Sequence, residues 1–404
     1  MLIKSTTSYK YLFCVWILIF FSPSIVFAGS EPIIRVLVKE SNRLRFRADK
    51  NIALSLEGLA KKKIKSKYLN LKIENNKIYF STNKVPSSWD FMNNTRPISV
   101  STYDRRGIWI GNRRYRGKLK IVNSKTGLKV INHIGIENYL NSVVGGEMPK
   151  DWPIEALKAQ AVAARTYALR RIGKSEIFDI DSSESRQVYL GIESETTKTK
   201  NAVKSTTATV IKHNGRLISA LFHSSSGGRT ESSGSVWKYQ LPYLVSVPDY
   251  DQKSPKFYWE KIIFSKELDK VFPEIGGFNN IKIIKKSDTN RVISTEVYGR
   301  KRNIIVSGKK LRKNLKLNST KFKIEIIPIY EKKRIVDIKN KQNNIYYFNK
   351  LPKSPDNFNL KITGYGSGHG VGMSQWGAKE LASKGASFRK IIHHYYKNVK
   401  ITRY

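Results

Sequence analysis

What most limits the fold of this chain is a run of small residues from Glu155 to Tyr167 that carries Ala156, Ala159, Ala161, Ala163 and Ala164. Ile154, Leu157, Ala161, Ala164 and Ala168 recur at steps of three and four, one stripe of a 3.6-residue helix. Alanine on the buried side of a helix means close backbone approach to whatever it packs on. Asp151 is expected as the N-cap, with Pro153 in the first turn, where a missing N–H does no harm. Arg165 falls about 60° from the centre of the stripe, so it needs an anionic partner or a ligand. Glu155 falls about 140° away and is expected to face solvent. Taken alone, the pattern reads as a core helix with a salt bridge at its edge.

Directly upstream, Gly145-Gly146 and Pro149 bracket one acidic residue, Glu147. The glycines free the backbone on one side and the proline stiffens it on the other, which reads as a turn. With Met148 and Trp152 as apolar neighbours, this setting suits a general acid.

The blocks that follow point to a family. The run from Gly146-Glu147-Met148-Pro149 through Trp152-Pro153 to Ala164-Arg165-Thr166-Tyr167 closely resembles the stage II sporulation protein D family (SpoIID/LytB). Phe222-His223-Ser224-Ser225-Ser226-Gly227-Gly228-Arg229-Thr230, with Val236-Trp237 and Pro242-Tyr243-Leu244, is similar to a second block of that family. Residues from Asn290 to Phe322 resemble a third. Gly366-Ser367-Gly368-His369-Gly370-Val371-Gly372-Met373-Ser374-Gln375-Trp376-Gly377, followed by His394-Tyr395-Tyr396, resembles the last. The blocks stand in family order and span most of the chain from about residue 117.

The resemblance implies lytic transglycosylase activity on peptidoglycan, with a preference for glycan strands stripped of stem peptides. An ordinary glycosidase needs two carboxylates. A lytic transglycosylase needs one, which protonates the glycosidic oxygen and then takes the proton of the sugar's own 6-hydroxyl as a 1,6-anhydro ring closes. Glu147 is the residue assigned that role, with no metal or organic cofactor required. Arg165, His369, Ser374, Gln375 and His223 are assigned to substrate binding. Arg165 could instead hold Glu147, although a direct pair would weaken the acid. Some relatives bind zinc through a histidine matching His223 and two downstream cysteines. Arg229 and Ser235 stand nearby here and no cysteine does, so a zinc site is not carried over. The alternative is a non-catalytic cell-wall-binding module that enhances an amidase, since the LytB side of the family is named for modifying another enzyme's activity.

Other chemistry reads less well. The alternating glycines 366, 368, 370 and 372 lack the spacing of a dinucleotide fingerprint, and Gly173-Lys174-Ser175 has Ala168 where a P-loop needs its first glycine. A glycine-lined surface suits an extended polar ligand such as a sugar chain, or tight packing on the alanine helix. No Gly-x-Ser-x-Gly elbow surrounds Ser224, Ser225 or Ser226. There is no His-Glu-x-x-His, and adjacent His393 and His394 cannot share one helix face.

Compartment follows from the N-terminus. Lys4 and Lys10 precede an apolar run from Tyr11 to Phe21, and Val26-Phe27-Ala28 reads as a cleavage site, so residues 1–28 are expected to be a secretory signal. An uncleaved anchor is the alternative. Membrane contact is then transient, through this segment alone. Cys14 lies inside it, so the mature chain has no cysteine and folds by burial alone. The expected site of action is the periplasm, the cell wall or outside the cell. The chain carries 74 Lys and Arg against 31 Asp and Glu, a net charge of +43. Such a balance fits nucleic acid, but export argues against that partner and for wall polymers. Lys61–Lys67 and Lys309–Lys313 are the densest basic runs, readable as solvated surface or as wall-retaining patches.

The expected fold class is α+β, an irregular, mostly antiparallel β scaffold on one long alanine-rich helix, with short helices at the C-terminus. Residues 29–115 read as an N-terminal β-rich region, separable or part of the main domain. Residues 116–404 read as the main domain, with a β-rich insertion at about 265–350. Strands are expected at 33–39, 52–58, 71–73, 77–80 and, around a Lys125-Thr126-Gly127 turn, 115–134. A short helix is expected from Glu137 to Val144. Strands 207–211 and 217–222 are expected to flank a His213-Asn214-Gly215-Arg216 hairpin turn. Asn343-Asn344 reads as a turn, and Pro352, Pro355 and Asn357 mark a loop. Ser374 and Ser387 are expected to cap two C-terminal helices, the first ended by Gly385.

Overall fold

Arg43–Arg47 shows how the strands are specified: Leu44 and Phe46 are buried while Arg43, Arg45 and Arg47 face water, the period-two alternation of a sheet solvated on one side. In the computed structural model, residues 30–49, 54–57, 64–92, 97–183, 186–328, 333–335, 346–348 and 358–404 are described. The expected signal segment with Cys14, the Asn343-Asn344 turn, and the loop at Pro352, Pro355 and Asn357 lie outside them, as do Lys61–Lys63.

Two larger sheets are built from the first part of the chain. One runs in the order Ile180–Asp181, Ile33–Ser41, Gly127–Gly135, Lys118–Ser124, Ile98–Ser101, Leu54–Glu57, Ile64–Ser66, antiparallel except at its first pair. The other runs Arg113–Tyr115, Ile108–Ile110, Arg43–Arg47, Tyr68–Glu74, Lys77–Ser81, Asp90–Met92, all antiparallel. The helices are α1 (Ile136–Glu147), α2 (Ile154–Leu169), α3 (Thr197–Ser205), α4 (Ser233–Val236), α5 (Ser265–Val271), α6 (Gly308–Asn314), α7 (Gln375–Ser383) and α8 (Phe388–Tyr395). The fold is α+β.

Helix α2 is buried on nearly every side, from Ala159 through Ala168 without a break. A single stripe therefore understates it, since α1, α3, α7, α8 and the strand Thr209–His213 all pack on it. Asp151 is not its N-cap. That position belongs to Pro153, whose carbonyl takes the N–H of Ala156 and of Leu157, and no side chain caps the helix. The Asp151 carbonyl instead accepts from Lys198 Nζ. Glu155 is not a free surface residue either: one oxygen accepts the Phe388 N–H at 2.7 Å, where an acidic group suits the start of α8.

The strands of both larger sheets share one apolar cluster with α1, α2, α7 and α8. A second cluster, from Trp259 to Ile362, is separate and holds Leu268, Phe272, Phe278, Leu311, Phe322 and Leu360. Two three-stranded antiparallel sheets frame it. The basic run at Lys309–Lys313 falls on α6, which buries Leu311 and turns Lys309, Lys310 and Lys313 to solvent.

The hairpin at Asn214 and Gly215 has both residues at positive φ, joining Thr209–His213 to Arg216–Leu217. The strand expected to continue to Phe222 stops there. Phe222–His223 instead pairs in parallel with Met373–Ser374, in a separate two-stranded sheet. Ser374 accepts the Gly377 N–H and caps α7, and Ser387 accepts the Lys390 N–H and caps α8. Gly385, at φ +84°, follows the end of α7.

Candidate active site

Helix α1 is longer than its sequence suggests and ends on Glu147 itself, so Gly145 and Gly146 are helical and form no turn. Their purpose is space. A Cβ at Gly145 would stand 2.0 Å from the Ser194 carbonyl oxygen, and one at Gly146 would stand 2.5 Å from that of Val188. The segment 188–194 lies directly on this last turn because nothing projects from it. That contact fixes the carboxylate: Val188 N–H donates to Glu147 Oε1 at 2.7 Å. From α7, Gln375 Nε2 donates to Oε2 at 3.4 Å. Met148 and Trp152, its apolar neighbours in sequence, are buried, and Glu147 is half-buried. The carboxylate is thus oriented from two sides.

Among the residues expected to bind substrate, Gln375 is brought to Glu147 and Arg165 is not. Arg165 is fully buried, and its guanidinium forms a bidentate pair with Glu137, Nε to Oε1 at 2.9 Å and Nη2 to Oε2 at 2.6 Å. Further bonds go to the carbonyls of Thr209 and Val203. It ties α1, α2, α3 and the 209–213 strand together, and no ligand can reach it. Substrate binding by Ser374 is corrected in the same way: it is fully buried and spent on capping α7.

His223 is also enclosed. Its Nδ1–H donates to the Val371 carbonyl at 3.2 Å, and its buried Nε2 has no hydrogen-bond partner. The ring packs 5.5 Å from that of His369, which meets the partly exposed Trp237 at the same distance. His369 Nδ1 accepts the Val371 N–H. Burial, with Arg291 and Arg312 nearby, brings His369 down to about 4, and burial with His369 and Arg291 depresses His223 strongly. These histidines are therefore neutral in the fold at pH 7. Because the unfolded chain binds the His369 proton more readily between pH 6.5 and about 4, stability falls as pH drops through that window, by up to about 1.4 kcal/mol per pH unit. Urea unfolding at pH 7, 5.5 and 4 is expected to show the gap between the wild type and His369→Gln narrowing towards acid. A gap of constant size refutes this account.

The glycine series is a packing device. Gly366, Gly368, Gly370 and Gly372 all have positive φ, and a Cβ on them would strike the Ser225 carbonyl, His223, the Arg291 guanidinium and the Leu221 carbonyl in turn. The serines facing this loop are buried: Ser226 Oγ donates to Asp249 and Ser225 Oγ to Asp251. Asp249, raised by burial and by Asp251, also accepts from Tyr395. Among the described residues, no three His, Asp or Glu side chains come together to hold a metal.

Sequence reasoning missed the Val188 amide, which as a backbone group leaves no residue signature. The paired glycines were the available clue, since two glycines inside a helix ask for a close neighbour.

Comparison with known proteins gives the chain a family. The family profile described as stage II sporulation protein matches residues 124–213, which hold α1 and α2. An uncharacterized protein of Brachyspira hyodysenteriae is 32% identical over 302 residues, 74% of this chain and 75% of its own. The amidase enhancer of Bacillus subtilis is 31% identical over 66% of this chain, which spans 40% of that protein. Stage II sporulation protein D of Bacillus subtilis is 30% identical over 69% of this chain and 77% of its own length. At that identity and coverage, the chain belongs to the stage II sporulation protein D family.

Proposed function

We propose that this protein, whose family ties it to a cell-wall role, is an exported lytic transglycosylase that cleaves peptidoglycan glycan strands. The observation that carries the reading is the placement of Glu147: a half-buried residue at a helix end, its carboxyl gripped by Val188 N–H and Gln375 Nε2. Protonated, it gives its proton to the glycosidic oxygen as the C1–O bond breaks and positive charge develops at C1. The resulting carboxylate then accepts the proton of the 6-hydroxyl as that oxygen bonds to C1. The products are a shortened strand with a new 4-hydroxyl and a 1,6-anhydromuramoyl end. The acid is restored, and no water is consumed. Purified protein incubated with peptide-free glycan strands should yield anhydromuramoyl ends by mass spectrometry; reducing ends alone would mean hydrolysis and refute the mechanism.

The grip on Glu147 can be loosened without touching it. In Gly146→Ala the new methyl must push the Val188 carbonyl away, and with it the N–H that orients the acid. A displacement near 1 Å can cost about 10²-fold in rate. The expected outcome is a large drop in turnover with little change in melting temperature, read on the same glycan assay.

A second reading rests on the name of one relative, amidase enhancer. The protein would then bind wall glycan and raise the activity of a cell-wall amidase. Amidase turnover on whole sacculi, measured with and without the Glu147→Gln chain, separates the two: stimulation by the inactive variant supports the second role.

A further inference from the structure

Two indoles and a lysine with no part in the scheme above lie on the segments that carry Glu147 and its partner Gln375. Trp152 lies five residues after the acid, and Trp376 directly follows Gln375. Their rings meet edge to face, with centroids 4.9 Å apart at 67°. Trp152 is buried and forms the base; Trp376 is half-buried. Lys379, one helical turn along α7, holds Nζ 4.4 Å from the Trp376 centroid and 5.1 Å from that of Trp152. Among the described residues, no carboxylate pairs with it. Its neighbour Glu380 is taken by Lys253 and Lys384 instead. A cation resting on aromatic faces, at the edge of a site for a polymer, is placed to receive an anion.

The ligand that satisfies both features has an apolar ring face and a nearby negative charge. The C–H face of a pyranose is weakly positive and lies well on an indole. Among the sugars of a glycan strand, N-acetylglucosamine carries no charge, whereas the muramoyl residue bears a lactyl carboxylate on O3. A stem peptide turns that carboxylate into an amide and removes the charge. We propose that Trp376 and Lys379 form a subsite for a muramoyl residue with a free lactyl carboxylate. The sugar takes the Trp376 face, and Lys379 Nζ moves from the ring to the carboxylate, a charge-assisted contact an amide cannot replace. The proposal deepens the reading of Glu147 and relies on it for the class of polymer.

The test reads binding without turnover. Full-length Glu147→Gln protein is titrated calorimetrically with a peptide-free muramoyl tetrasaccharide and with the same sugar after its lactyl groups are converted to methylamides. The acid form is expected to bind about five- to tenfold more tightly at low salt. Lys379→Met should lower the acid form to the affinity of the amide, Lys379→Arg should keep the preference, and Trp376→Phe should weaken both forms less than Trp376→Ala. Equal affinity for the two sugars, or a preference that survives Lys379→Met, overturns the subsite. Polyglycerol phosphate, an anion without a pyranose face, should not compete; full competition would assign Lys379 to phosphate polymers and also overturn it. If anhydromuramoyl ends never form yet the acid-over-amide preference stands, the catalytic reading falls alone. If the ends form without the preference, only the subsite falls.

Discussion

Glu147→Gln is expected to lower the production of 1,6-anhydro ends by about 10²–10⁴-fold, the usual worth of a positioned acid and base. The size follows from asking one group to act twice. An amide can neither protonate the leaving oxygen nor deprotonate the 6-hydroxyl, so both halves of the reaction lose their proton carrier. Glutamine is close to glutamate in shape and retains an oxygen for the Val188 N–H, so the helix end should stay folded. Melting temperature and glycan affinity should hold near wild-type values while turnover disappears. Turnover within a few-fold of wild type would remove Glu147 from the chemistry.

The largest effect on stability is expected from Arg165→Ala. The pair Arg165–Glu137 is bidentate, with the guanidinium wholly buried. Removing one partner of a buried pair costs about 3–5 kcal/mol, and the lower end applies here because the Glu137 side chain is 19% exposed and keeps the Ala208 N–H. The carbonyls of Thr209 and Val203 also lose a donor. Urea denaturation should show the loss. Arg165→Lys should recover only part, since an ammonium cannot span both carboxylate oxygens. Replacing both, as Arg165→Met with Glu137→Leu, should destabilise less than Arg165→Ala alone. Rate per folded molecule should change little in all of these. A variant as stable as wild type but inactive would return Arg165 to the substrate.

How far the sequence could be read depended on the range of each interaction. Ser374 and Ser387 were recognisable as caps because a cap is decided within four residues. The Asn214-Gly215 turn was recognisable because both positions demand positive φ. Arg165 was visible as a buried cation in need of an anion, but its partner is 28 residues upstream in α1, and no periodicity names it. Gly145-Gly146 read as a turn, since local preference treats paired glycines as a break; the close approach of residues 188–194 overrides that preference. His223 and Ser374 looked available to a ligand as polar residues in polar motifs. Their burial comes from the crossing of two distant loops, at 222–228 and 366–374, which sequence spacing cannot show.

The end of α1 has a bearing on when this protein can act. Glycine disfavours a helix by about 1 kcal/mol relative to alanine, so the last turn, with two in succession, would fray in a free peptide. It is held by the segment at 188–194 and by an amide 228 positions downstream. A nascent chain that has emerged only as far as α2 thus displays the acid without its grip. In the growing chain, the Gln375 half of that grip arrives only once α7 has been made.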